Sequence, residues 1–208
     1  MSPNEDRKIR EYFTPKTWNE IKTNDSWAIF KIMSEFVDGY ERLSKIGPCV
    51  SIFGSARTKP GEENYILAEE IAFKLTQSGF GIITGGGPGI MEAGMVGAGR
   101  DQSIGVSIRL PFEASANPII AGDGKFVEMR YFFTRKLMLM KDSQAFICMP
   151  GGFGTLDETF ELLTLMQTGR GAIAPTVLLD LPGDHFWRTM DEFVRAQLLP
   201  HGLISASD

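Results

Sequence analysis

Apolar residues recur at three- and four-residue steps between Asn24 and Lys45, at Trp27, Phe30, Met33, Val37 and Tyr40. That spacing puts them on one face and predicts a helix. Such a stripe is expected to cover the body of its own domain and, as the second choice, a partner subunit. Past Gly47-Pro48 the period changes, and short apolar runs alternate with helical stretches. Cys49–Phe53, Phe80–Thr84, Ile104–Leu110, Lys125–Phe133, Ala145–Met149 and Thr176–Leu181 read as strands. Asn64–Ser78, Ile90–Ala98, Thr134–Lys141, Thr155–Gln167 and Phe186–Leu199 read as helices. Short apolar strands separated by such helices predict an α/β fold, a doubly wound parallel sheet with helices on both faces. Residues 1–16 are polar and carry Pro3 and Pro15, a flexible arm ahead of a single domain over 17–208.

In sheets of this kind ligands bind outside the carboxyl ends of the strands, near a switch in strand order. Three predicted strands end in glycine-bearing loops: Gly54-Ser55, Gly85 to Gly89, and Gly151 to Gly154. Each is explained alone as a tight strand-to-helix turn. Three on one edge favour a phosphate-bearing ligand, because glycine admits a ligand close to the backbone and a helix start offers unpaired N–H groups. Neither long loop fits the dinucleotide fingerprint: Ile90 and Asp157 stand where its third glycine is required. A GxxxxGK[ST] loop is also absent, so a mononucleotide or sugar phosphate is the better fit.

The helix after Pro150 carries the most informative spacing. Leu156, Phe160 and Leu163 fall on one face, with Glu158 nearly opposite. A solvated Glu158 that complements the helix dipole is one explanation. The glycine loop before it aims this first turn at the ligand edge, which favours function. Arg135-Lys136 opens another predicted helix, where cations oppose the dipole. A phosphate or carboxylate partner explains the pair, and so does surface exposure.

The remaining features change the picture less. Formal charge is −5, which argues against a nucleic-acid or anionic-membrane partner. No apolar run is long enough to span a bilayer, and the charged N-terminus does not read as a signal peptide, so a cytoplasmic protein is expected. Cys49 and Cys148 lie in apolar strands as core thiols, and His185 and His201 are too few for a histidine-rich metal site; no metal is expected. Met129, Met138, Met140 and Met149 read as core filler, or in part as a purine pocket.

Pro150-Gly151-Gly152-Phe153-Gly154-Thr155-Leu156-Asp157-Glu158 resembles the PGGxGTxxE motif of the Lonely Guy (LOG) family, cytokinin-activating nucleoside 5′-monophosphate phosphoribohydrolases once labelled lysine decarboxylases. The resemblance extends to Gly85–Ala93, to Arg135-Lys136 and to Gly54-Ser55, over about residues 48–204. It is nearest to the bacterial branch with an extra N-terminal helix. It implies a Rossmann-like fold, a homodimer or higher homo-oligomer, no cofactor, and cleavage of an AMP-like substrate to free base and ribose 5-phosphate. By position it makes Arg135 and Glu158 the catalytic pair. It gives substrate binding to Gly54, Ser55, Gly86, Gly87, Glu113, Lys136, Gly151, Gly152, Gly154, Thr155 and Thr164. Plant-type members have Gly-Leu-Met-Gly where this chain has Gly89-Ile90-Met91-Glu92, a change in the pocket floor.

The expected mechanism is metal-independent hydrolysis through an oxocarbenium-like transition state. Gly151 to Thr155 would hold the 5′-phosphate. Glu158 would stabilise the sugar cation and handle the attacking water. Arg135 would anchor the nucleotide. A nucleotide-binding module that does not cleave its ligand is the alternative. A decarboxylase ranks below both, since pyridoxal phosphate needs a Schiff-base lysine and nothing near Lys136 or Lys141 marks one. Met91, Met138 and Phe133 are candidates for setting base preference.

Overall fold

The computed structural model describes residues 18–109, 116–171 and 173–207; side chains are described from Trp27 onward. The N-terminal arm therefore lies outside the described residues. Helix α1 (Trp18–Leu43) leads into β1 (Cys49–Phe53), α2 (Glu63–Gln77), β2 (Gly81–Thr84), α3 (Ile90–Ala98) and β3 (Ser103–Ile108). Then follow β4 (Phe126–Met129), α4 (Phe132–Lys141), β5 (Ser143–Cys148), α5 (Phe153–Gln167), β6 (Thr176–Leu178) and α6 (Phe186–Phe193). The last helix passes into a wider π-type turn over Val194–Leu198.

All strand pairs are parallel and the order is β4-β3-β2-β1-β5-β6. The chain steps outward from β1 in one direction through β4, then returns to the other side of β1 as β5. The switch point thus lies between β1 and β5, and in sheets of this kind ligands bind at the carboxyl ends of the strands there. Alternation along the strands feeds two cores. Val50, Ile52, Ile82 and Ile147 pack with Ala68, Ala72, Ile90 and Ala93 of α2 and α3. Cys49, Phe53, Ile83 and Val106 face the other way, against Leu43, Met138, Leu139, Leu162 and Trp187. The doubly wound α/β expectation holds.

Besides shifted element ends, two differences from the sequence reading bear on the site. The strand expected over Lys125–Phe133 stops at Met129, and α4 already begins at Phe132, ahead of the expected Thr134. Tyr131, Phe132 and Phe133 have β-type side chains, but Arg135 N–H donates to the Tyr131 carbonyl as a helix turn. The N-terminal helix also turns a different face inward. Trp27, Phe30, Met33, Val37 and Tyr40 are exposed, Trp27 by 66%. Phe36 and Leu43 meet the core instead, and Gly39 is buried against Met129 and Met138. This helix is apolar on two faces, and the richer one is left uncovered by its own domain.

Candidate active site at the sheet switch point

Three loops from the carboxyl edge meet here. Ser55, after β1, donates its N–H to the Pro150 carbonyl (3.2 Å) and accepts at its own carbonyl from Ile90 N–H (3.0 Å). The loops after β1, β2 and β5 are thereby knitted into one floor. Much of their glycine content follows from the crowding: a Cβ at Gly54 would strike Ile90, one at Gly151 would strike the Thr155 side chain, and one at Gly86 would meet Phe126. Gly86 N–H donates to Thr84 Oγ1 (3.1 Å). The Gly86 and Gly87 carbonyls accept from the backbone N–H (2.9 Å) and Nδ2 (3.0 Å) of Asn117.

The loop after β5 has a different surface. Gly152 caps α5 with no side-chain hydrogen bond, and nothing lies within 4 Å of where its Cβ would be. The helical ladder starts with Leu156 N–H donating to the Gly152 carbonyl. The N–H groups of the preceding turn have no acceptor inside the helix, and with the dipole they form an anion cradle. Gly152, Phe153 and Gly154 are exposed.

Behind the cradle α5 buries a polar face: Thr155, Glu158 and Thr159 with Leu162. Of the two explanations offered for Glu158, the solvated one is set aside, since Glu158 is only 4% exposed whereas Phe160 is exposed. Arg135 on α4 explains this. Its Nη2 donates to Glu158 Oε1 at 2.6 Å, with both side chains largely buried. Burial raises the Glu158 carboxyl above its ordinary value, and the Arg135 charge offsets only part of that. Arg135 Nε is buried with no acceptor. A guanidinium with a carboxylate on one nitrogen and an unmet N–H on another is poised for one more anionic or carbonyl oxygen.

The expected substrate-binding residues divide. Gly151, Gly152, Gly154 and Thr155 form the α5 start, and Gly54, Ser55, Gly86 and Gly87 form the floor beside it. Lys136 is engaged elsewhere: its Nζ lies 2.8 Å from both Asp157 and Glu161. Burial alone would lower its pKa, but the hydrogen bonds and charges of those two carboxylates outweigh it and the net shift is upward. Thr164 is exposed, and its hydroxyl donates to the Phe160 carbonyl. Glu113 lies outside the described residues. Met138 is fully buried in the core, whereas Phe133 is exposed, and Met91 covers Gly85 and Gly87. Sequence reasoning missed Asn117, Asp157 and Glu161. The two carboxylates share a face of α5 at i and i+4, a visible signal; Asn117 stands in a loop with nothing to mark it.

Fold and site together define an α/β protein of the Rossmann-like class, with a glycine-rich helix start at the switch point and a buried Arg–Glu pair behind it. The chain belongs to the LOG family: the family profile described as "possible lysine decarboxylase" matches residues 82–208. A probable cytokinin riboside 5′-monophosphate phosphoribohydrolase of Oryza sativa subsp. japonica is 31% identical over 146 residues, 67% of this chain and 65% of its own. A cytokinin riboside 5′-monophosphate phosphoribohydrolase of Arabidopsis thaliana is 30% identical over 127 residues, 58% of this chain and 56% of its own. The chain spans about half to two thirds of the length of the curated relatives it matches. Among solved structures, the X-ray structure of TM1055, a structural-genomics target, superposes with a TM-score of 0.52 at 21% identity, covering 70% of this chain and 81% of that one. It shares the fold.

Proposed function

We propose that this protein hydrolyses the N-glycosidic bond of a nucleoside 5′-monophosphate, AMP or an N6-modified AMP of the cytokinin type. The products are the free base and ribose 5-phosphate. The observation that carries this reading is the buried Arg135–Glu158 pair directly behind the open start of α5. The names of the relatives support the same bond and substrate class.

In this reading the 5′-phosphate docks on the N–H groups at the start of α5. Glu158 then lies beside the ribose. As C1′ loses the base together with the bonding electron pair, its carboxylate stabilises the growing positive charge and takes a proton from the water that attacks C1′. That proton compensates the one the departing base must gain. Arg135 holds Glu158 and contributes its unmet Nε–H to the nucleotide. The decarboxylase name fits these residues poorly. A Schiff-base lysine must shed its proton, whereas Lys136 and Lys141 are both held in ion pairs with carboxylates.

We further propose one catalytic domain over 17–208 that works as a homo-oligomer, with the exposed Trp27 to Tyr40 face as the contact between copies. The cytoplasm suits its unpaired, buried thiols Cys49 and Cys148. Among the described residues no helix is long and apolar enough to cross a membrane.

Chromatographic detection of free base from AMP, GMP, CMP and N6-isopentenyl-AMP tests the reading. Base release is expected from at least the adenine nucleotides. Glu158→Gln is expected to lower kcat by about a hundredfold or more. Nearly full turnover in that variant would remove Glu158 from the mechanism. Tight nucleotide binding without release by the wild type would leave a binding protein of the same fold.

A further inference from the structure

The start of α4 poses an electrostatic problem. Arg135 and Lys136 both stand close to its positive end, its first turn contains no acidic residue, and Tyr131 supplies no side-chain cap. The missing negative charge comes from α1. Glu35 Oε1 accepts the Arg130 N–H at 2.7 Å, and Glu35 Oε2 lies 2.8 Å from the Thr134 hydroxyl. That hydroxyl is shared with the Tyr131 carbonyl at 2.7 Å, and Thr134 is fully buried immediately before Arg135. A single carboxylate thus bridges the last residue before the α4 cap and the residue preceding the guanidinium. It does from another helix what an acidic first-turn residue does from within.

We propose that Glu35 is a positioning residue for the Arg135–Glu158 pair, acting through the first turn of α4. It rests on the hydrolase reading above. It also gives the N-terminal helix a role in the site, although that helix contributes none of the residues expected to bind substrate.

The test uses the full chain with Glu35→Ala and Glu35→Gln. It reads kcat and KM for AMP, the melting temperature, and the Arg135 Nε–H resonance in a 15N spectrum, assigned by Arg135→Lys. Glu35→Ala is expected to lower kcat by about tenfold or more. Glu35→Gln, which keeps an acceptor for the Arg130 N–H, should lower it less, and the resonance should move in both. Wild-type kcat in both variants overturns the proposal even if the melting temperature drops, because a merely structural glutamate would behave so. An unmoved resonance overturns it as well. Should the wild type release no base, the hydrolase reading fails instead, and the resonance alone decides whether Glu35 sets the Arg135 geometry. If Glu35→Ala does not fold, Glu35→Gln carries the same readouts.

Discussion

The loops after β2 and β5 have nearly the same composition, Gly85-Gly86-Gly87-Pro88-Gly89 against Pro150-Gly151-Gly152-Phe153-Gly154, yet the glycines that cap the helices after them, Gly89 and Gly152, serve opposite ends. At Gly89 the backbone turns with φ +71°, and a Cβ would overlap the Ser55 carbonyl and the Ala56 backbone. Glycine is required there because the protein itself fills the space. At Gly152 the backbone is extended, φ −87° and ψ −160°, and the space is empty. Glycine there leaves room for something that is not protein. The first loop builds the floor, and the second leaves open the space where we propose the phosphate docks. A glycine-rich loop is therefore informative about binding only once it is known what lies against each glycine.

Substitution by alanine turns this contrast into a measurement. Gly89→Ala combines a left-handed backbone with a clash against backbone atoms that cannot yield. It is expected to cost roughly 2–5 kcal/mol, read from urea unfolding. A loss under about 0.5 kcal/mol, the ordinary surface level, would show that the loop adapts and would erase the distinction. Gly152→Ala should do the reverse. Stability should hold or rise by about 0.4–1 kcal/mol, since the backbone suits alanine and the unfolded chain loses freedom. KM for the nucleoside monophosphate should rise by about tenfold, the loss of one hydrogen bond to a charged group. An unchanged KM would mean that the open space is not where the phosphate sits.

The same contrast explains what could be read in advance. Strands and helices were legible because alternation along the sheet is steep: Val50 and Ile52 pack on one face, Cys49 and Phe53 on the other. The glycines at the switch point were legible because the crowding of three loops demands them at Gly54, Gly89 and Gly151. Orientation was not. The helix starting at Phe153 turns Thr155, Glu158 and Thr159 inward and leaves Phe160 out, because Arg135 on a different helix compensates the buried carboxylate. No spacing within one helix contains that partner. The N-terminal helix shows the same limit: its stripe was visible, but Glu35 and Phe36, which touch the domain, lie between the stripe residues. A carboxylate partner was one explanation offered for Lys136, but Asp157 and Glu161 could not be named in advance because they lie 21 or more positions away.

The smallest expected effect is one of pH, and it separates the two helix starts again. Each has a carboxylate in its opening turns, Glu92 on α3 and Glu158 on α5. Glu92 is only half-buried, whereas Glu158 is buried opposite a guanidinium. Burial raises the Glu158 pKa above its ordinary 4.5 in the folded protein. If Glu158 must be ionised to act, the acid limb of kcat/KM for base release falls at a pH above 4.5, about tenfold per unit below the apparent pKa. The same shift is linked to stability. Folded Glu158 holds its proton more tightly than unfolded Glu158, so its contribution is fully present below pH 4.5 and is lost as pH rises through the folded pKa. Urea unfolding across that range should show wild type losing stability relative to Glu158→Gln as pH increases. A parallel pair of curves would mean that Arg135 cancels the burial completely, and the acid limb should then lie at or below 4.5.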